Sequence, residues 1–327
     1  MFDFFRHEYA AARLRAMKGR LIKKQNFVKM ADSRSFPELI SLLEGTEYDE
    51  IFYHDLKKNV IEIENGLDKH FVNVLRKVRN FYPERDKVMV DVFLNEWEMK
   101  NMGLLIKSVL TGENLKDFVI PTDGFDWKGL KDSENLGELA TKIRGSAYEK
   151  VIEKGQGKVE QFGIPVIDFY LEEAYVKKCL KLIGYVNGKE MFLSYFKMRN
   201  DLVNMRNVLR GIMLKKDFSN FLLKPSHVSK EWFKISSPDS LLERAKKDAG
   251  LKMKGLARME DDLLFELALG ENLESLVSKF LFTTPFGAGL LLYYIVTKRS
   301  EVNSIKAITK FVKEDLDRKD LKTLLRV

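Results

Sequence analysis

Three acids stand at matching places in this chain. Glu98 opens Glu98-Met99-Lys100-Asn101-Met102, Asp201 opens Asp201-Leu202-Val203-Asn204-Met205, and Glu301 opens Glu301-Val302-Asn303-Ser304-Ile305. In each copy an apolar residue follows at +1, a small polar residue at +3, apolar residues at +4 and +7, and a base at +9. On a helix of 3.6 residues per turn, the acid and the +3 residue fall at the edge of an apolar stripe. Such an acid has two uses. It can bond a base or backbone amide of a neighbouring helix, as a polar group at a packed seam requires. It can also line an opening and offer a ring of charge to a partner. The first use weighs more, and Asn101, Asn204 and Ser304 are read in the same way.

No arrangement suited to catalysis accompanies these acids. His7, His54, His70 and His227 are scattered, and none has a helix-spaced His or Cys beside it for a metal. Gly184-Tyr185-Val186-Asn187-Gly188-Lys189-Glu190 has too short a spacing for a phosphate loop and Glu where Ser or Thr should stand. Glu260-Asp261-Asp262 resembles the acid cluster of helical prenyl-transferring enzymes, but Phe265 occupies a position where that pattern needs Asp. No Gly-x-Ser-x-Gly elbow occurs. The expectation is a chain without catalytic residues, cofactor or metal.

The elements that hold the acids are repeated as well. Glu64-Asn65-Gly66-Leu67-Asp68, Ile167-Asp168 and Glu266-Leu267-Ala268-Leu269-Gly270 each precede one of the acids, by 30, 33 and 31 residues from Asp68, Asp168 and Gly270. Further upstream, Leu39 to Leu43 with Gly45-Thr46-Glu47-Tyr48 matches Leu139 to Ile143 with Gly145-Ser146-Ala147-Tyr148. Only Leu241-Leu242-Glu243 answers to this in the last third, where the Gly-x-x-Tyr is lost. Tyr48 and Tyr148 are read as packing residues. Self-similarity at a fixed spacing implies an array of like units. The expectation is an all-α protein of three helical repeat units, at 1–118, 119–218 and 219–327.

Composition agrees. Apolar residues make up 45% and charged residues 32%, which suits an ordinary globular chain, and seven prolines in 327 residues leave room for long helices. Cys179 is the single cysteine, so no internal disulfide can form. The start has an acid, Asp3, where a secretory signal needs bases. Phe280 to Thr297 is uncharged, but Thr283, Thr284, Pro285, Gly287 and Gly289 interrupt it, so it reads as a buried core helix opened by Pro285 and not as a membrane span. The net charge is +8, and the first 30 residues carry eight bases against two acids. Arg13, Arg15 and Lys18 lie in this basic start. It suits an anionic partner, such as a membrane surface, an acidic protein or a nucleic acid, or is simply a solvated face.

Helices are expected at 6–24, from Ser35-Phe36-Pro37-Glu38 to Gly45, in one or two pieces over 49–78, and from Asp86 to Leu110. In the second unit they are expected at 135–144, at 147–154 with Gly155-Gln156-Gly157 as a turn, at 165–184 and at 190–215. The third unit is expected to hold helices near 240–250, 256–281, 286–298 and 300–312, with a short helix between Leu316 and Leu325. Nothing alternates with the period of a strand.

In their order these motifs resemble a known family. Trp97 to Met102 with Leu110-Thr111-Gly112, and Asn200 to Asn207 with Leu209-Arg210-Gly211, are similar to the C subunit of the archaeal and bacterial A/V-type ATP synthases, related to the d subunit of the eukaryotic vacuolar proton pump. Tyr9 to Lys18, Gly45-Thr46-Glu47-Tyr48 and Thr284-Pro285-Phe286-Gly287 through Glu301-Val302 resemble the same family. Asn303-Ser304 and Gly270 depart from its pattern. The resemblance implies a pseudo-threefold helical funnel, or ring-like socket, with no catalysis of its own. Its partners would be the D and F subunits of the central shaft and the membrane proteolipid ring, with anionic lipid headgroups nearby and no nucleic acid. Its place would be peripheral, on the cytoplasmic face of the cell membrane, coupling ATP turnover to proton or sodium movement. One rival reading is a helical-repeat adaptor that binds an acidic protein or nucleic acid through residues 6–29. The other is a helical enzyme with a metal-held anion around Asp261 and Asp262.

Overall fold

The computed structural model describes residues 2–53, 59–252, 262–284, 286–317, 321, 322 and 325. Among them every regular element is a helix. In chain order they are α1 (Phe2–Lys18), α2 (Lys24–Ala31), α3 (Phe36–Leu43), α4 (Asp49–Tyr53), α5 (Val60–Arg79), α6 (Val88–Thr111) and α7 (Trp127–Lys131). They continue with α8 (Leu136–Lys142), α9 (Glu149–Phe162), α10 (Pro165–Leu182), α11 (Lys189–Leu214), α12 (Pro238–Ala249), α13 (Asp262–Thr283) and α14 (Ala288–Lys313). The all-α class expected from the sequence is correct.

The chain forms two compact bodies. One consists of 1–83 with 194–327, the other of 84–193. In the first, α14 is the central element: α13, α5, α1, α2 and α3 all pack on it. Leu290, Leu291, Leu292, Ile295, Ile305 and Ile308 are buried along its length. A fully buried side chain of this size contributes roughly 1.5–3 kcal/mol, so this helix is a large part of the body's apolar stabilisation. In the second body α10 packs on both α6 and α9. Val90, Phe93, Leu105 and Ile106 of α6 and Leu171, Tyr175 and Val176 of α10 are buried.

The helix starts follow their expected chemistry. Ser35 accepts a bond from the Glu38 amide at 3.4 Å, while Glu38 Oε2 accepts from the Arg34 amide at 2.6 Å. Asn135 and Glu138 repeat this arrangement at α8, with 2.9 Å to the Glu138 amide and 3.0 Å from the Glu134 amide. After each of these helices the chain reverses at a glycine in the left-handed region, Gly45 at φ 72° and Gly145 at φ 80°. A side chain there would be strained, which is why the two matching turns share this residue.

Three expectations are corrected. The first helix ends at Lys18, and a new helix begins at Lys24. Gly155-Gln156-Gly157 is not a turn but lies inside α9. A Cβ on Gly155 would sit 2.3 Å from Ile167 Cδ1, so this glycine serves the close approach of α9 to α10. The last two expected helices are one, α14, which runs unbroken through Arg299. Pro285, expected to open this helix, and Asp261, placed in an acid cluster, lie outside the described residues, as does most of the expected terminal helix.

Candidate functional site

The three acids are buried, Glu98 and Glu301 at 3% and Asp201 at 1% exposure. Such burial leaves a carboxylate far from water, so each must find partners in the protein. What each one finds differs.

Glu301, on α14, sits in the most enclosed network. Its Oε1 accepts from the Tyr48 hydroxyl at 2.5 Å and from Lys298 Nζ at 2.7 Å. Its Oε2 accepts from the Ile22 amide at 2.5 Å. Lys298 has no exposed side-chain surface and also donates to the Tyr48 hydroxyl at 2.6 Å and to Glu47. Glu47 in turn pairs with the His70 ring at 3.1 Å. Burial alone would raise the Glu47 carboxyl, but the His70 hydrogen bond and the Lys298 charge outweigh it and hold the group down at about 2. The Tyr48 phenol moves the other way: burial and the neighbouring Glu301 carboxylate push it well above its usual value.

Glu98, on α6, has a shorter version of this network. Lys178 on α10 donates to its Oε1 at 2.5 Å, and the Lys178 ammonium lies 5.9 Å from the Tyr148 ring centre. The Tyr148 hydroxyl donates to the Asn95 carbonyl at 3.4 Å. Burial raises the Glu98 carboxyl despite Lys178. Burial and the Glu98 charge raise the Tyr148 phenol. Thus Glu301 with Tyr48 and Lys298, and Glu98 with Tyr148 and Lys178, are two versions of one acid–tyrosine–lysine cluster.

Asp201, on α11, stands where the Gly-x-x-Tyr of the sequence has no third copy. A loop takes its place. Ser226 Oγ and the amide of His227 donate to Asp201 Oδ1 at 2.6 and 2.5 Å, and the His227 ring meets Oδ2 at 2.7 Å.

The small polar residues behave alike in two copies. Asn101 donates to the Ile120 carbonyl at 2.6 Å and accepts from its amide at 3.0 Å. Asn204 donates to the Leu223 carbonyl at 3.0 Å and accepts from its amide at 2.8 Å. Each asparagine therefore satisfies both backbone groups of a residue 19 positions downstream, where irregular chain passes a helix. The third copy has Ser304, which is buried, and Asn303 at the preceding position donates to Glu266 at 3.2 Å.

The three α1 bases do not converge on these acids. Arg13 lies over the rings of Tyr9 and Phe81, Arg15 over Phe286 at 4.3 Å, and Lys18 over Tyr293 at 4.6 Å. Sequence reasoning missed Lys298 and His227. Lys298 did leave a signal, the first cation after the apolar run Leu290 to Val296, followed by Arg299 and three residues before the acid. His227 left none, since only the fold brings it to Asp201. Among the described residues no three His, Cys, Asp or Glu side chains gather as a metal site, and no helix is long and apolar enough to cross a membrane.

What the fold and these networks define is an all-helical scaffold whose repeated polar residues bind the protein to itself. The model of the ATP synthase (C/AC39) subunit family matches residues 10–324, and the chain belongs to that family. It is 24% identical to the C subunit of the A-type ATP synthase of Pyrococcus horikoshii over 98% of this chain and 90% of that protein. It is also 24% identical to the C subunit of the A-type ATP synthase of Thermococcus kodakarensis, over 95% and 88% of the two chains. For the corresponding A-type C subunit of Methanocaldococcus jannaschii the identity is 22%, over 99% and 87%. An accessory ATP synthase subunit is thus the established class.

Proposed function

We propose that this chain is the non-catalytic coupling subunit of the central stalk in an A/V-type ATP synthase. It joins the shaft made by the D and F subunits to the proteolipid ring and passes torque between them, for proton or sodium translocation. It works as a peripheral subunit on the cytoplasmic face of the membrane, and the seat on the ring is α1 with Arg13, Arg15 and Lys18. The three repeat units are 1–118, 119–218 and 219–327, closed as a socket about a pseudo-threefold axis.

The observation that carries this reading, beside family membership along nearly the whole chain, is the order of the polar contacts. Tyr48 of the first unit bonds Glu301 of the third, and Tyr148 of the second lies at Glu98 of the first. Asp68 of the first unit pairs with Lys306 of the third, and Asp168 of the second with Lys107 of the first at 2.7 Å. A linear array of repeats contacts only its sequence neighbours. The first-to-third pairing departs from that linear order, which supports an arrangement other than a simple row of units.

The test is a pull-down of the purified chain with two baits, the detergent-solubilised proteolipid ring and the D–F shaft. A bridge of one copy each is expected. A folded chain that binds neither bait would overturn the reading. Charge reversal of Arg13, Arg15 and Lys18 to Glu is expected to weaken ring binding and spare shaft binding; equal loss of both would sink the proposed seat.

A further inference from the structure

The end of α13 and the turn into α14 carry the most exposed large apolar side chains described in their body. Phe282 is 86% exposed and Phe286 59%. Isolated exposed apolar residues need no explanation, but these two flank one short helix-to-helix connection. Around them the chain is uncharged from Phe280 to Thr297, and no Asp or Glu occurs between Glu274 and Glu301.

Bases are supplied from α1. Arg15 covers Phe286 and Lys18 covers Tyr293, so the cations of α1 and the aromatic rings at this end of α14 form one surface. Lys279, exposed, stands three residues before Phe282, close to one helical turn. The segment of α1 and α2 from Tyr9 to Ala31 contains seven Lys or Arg and no acid. Gly287, which precedes α14, brings no side-chain cap, and no acid lies in that helix's first turn. The peptide dipoles at this helix start therefore add positive potential that no carboxylate cancels.

Two exposed phenylalanines with Arg15 and Lys18 packed on neighbouring rings, in stretches of sequence without acids, match an interface that is apolar below and anionic above. We propose that this patch, formed by Phe282 and Phe286 with Arg15, Lys18 and Lys279, contacts the anionic phospholipid headgroup layer directly. The two phenylalanines dip to the boundary of the acyl chains, and the bases bind phosphates around them. The inference rests on the membrane-facing seat of α1 proposed above and adds a lipid contact to the contact with the ring. An acidic protein would answer to the bases alone and would leave the exposed rings without a matching apolar layer.

The experiment uses the full chain with Phe282→Trp. The native tryptophans Trp97, Trp127 and Trp232 are all buried, away from any vesicle, so the new indole is read as the difference in emission from the parent chain. Vesicles of phosphatidylcholine with phosphatidylglycerol are expected to sediment the protein and blue-shift this indole; vesicles of phosphatidylcholine alone are expected to do neither. Phe282→Ser with Phe286→Ser should weaken binding by roughly tenfold at unchanged helicity. Arg15→Glu with Lys18→Glu should abolish the difference between the two vesicle types. An indole that stays red-shifted with anionic vesicles, or shifts only with the detergent-solubilised ring or the shaft, would overturn the lipid contact. Binding to ring and shaft with no vesicle response refutes this inference and leaves the coupling role standing. Vesicle binding without ring or shaft does the reverse.

Discussion

Glu98 and Glu301 occupy the same place in the sequence repeat and have the same kinds of partner, yet they are held differently. Glu301 receives three donors, and its lysine is sealed from solvent on its own helix. Glu98 receives one lysine, contributed by the neighbouring α10 and 29% exposed in its side chain, with the Tyr148 hydroxyl as its other polar neighbour. A repeated motif therefore specifies where a polar group must be satisfied but not how completely. Completeness depends on burial, and burial fixes what each residue costs to remove.

The largest difference is expected from alanine substitution. Glu301→Ala leaves the buried Lys298 with the partly exposed Glu47 as its remaining acid and strips the acceptor from the Tyr48 hydroxyl and the Ile22 amide, at about 3 kcal/mol. Glu98→Ala leaves Lys178 able to turn to water and should cost about half of that. Urea denaturation of both variants checks the order, and equal losses would erase the distinction between the clusters. Replacing Glu301 and Lys298 together by Gln and Met should recover most of the stability, because neither of the two buried charges then remains without the other.

A smaller effect is expected from the tyrosines. Tyr48→Phe removes a hydroxyl that bonds both Glu301 and Lys298, at about 1–3 kcal/mol. Tyr148→Phe removes a hydroxyl that bonds the Asn95 carbonyl at 3.4 Å and also acts on Glu98, and should cost about 1 kcal/mol. Thermal midpoints of the two variants decide this. The asparagines give a reference outside the clusters. Asn204→Ala and Asn101→Ala each free both backbone groups of one residue, and both should cost about 1–3 kcal/mol.

Much of this was legible in the sequence because it is local. Ser35 with Glu38, Asn135 near Glu138, and Gly45 and Gly145 act within a few residues of themselves, so their spacing carries their meaning. The all-α class was legible for the same reason. The clusters were not. Tyr48 meets Glu301 across 253 residues, and no periodicity reveals a hydroxyl turned toward an acid that far away. Gly155-Gln156-Gly157 misled because glycine marks both turns and close helix contacts. Only the position of Ile167 separates the two meanings. The lost Gly-x-x-Tyr of the last unit was visible, but its replacement by Ser226 and His227 was not, since it comes from irregular chain upstream of the place where the motif would stand.

The finest distinction between the two clusters is the sign of their response to acid. Glu47, beside Glu301, is held at about 2 against an ordinary value of 4.5. Its native form prefers to stay ionised, so its contribution is present above pH 4.5 and is lost as pH falls from there toward 2. Glu98 is displaced upward by burial. Its native form takes up a proton before the unfolded chain does, so acidification from neutrality toward 4.5 favours the native state at this residue. The two clusters thus pull stability in opposite directions in adjoining windows of pH. Glu47→Gln should flatten the loss of stability below pH 4.5, and Glu98→Gln should remove a gain above it, each read as the variant's stability difference from the parent chain across pH. A Glu47→Gln difference that stays constant from pH 5 down to 2 would show that Lys298 and His70 do not hold that carboxylate in its ionised form.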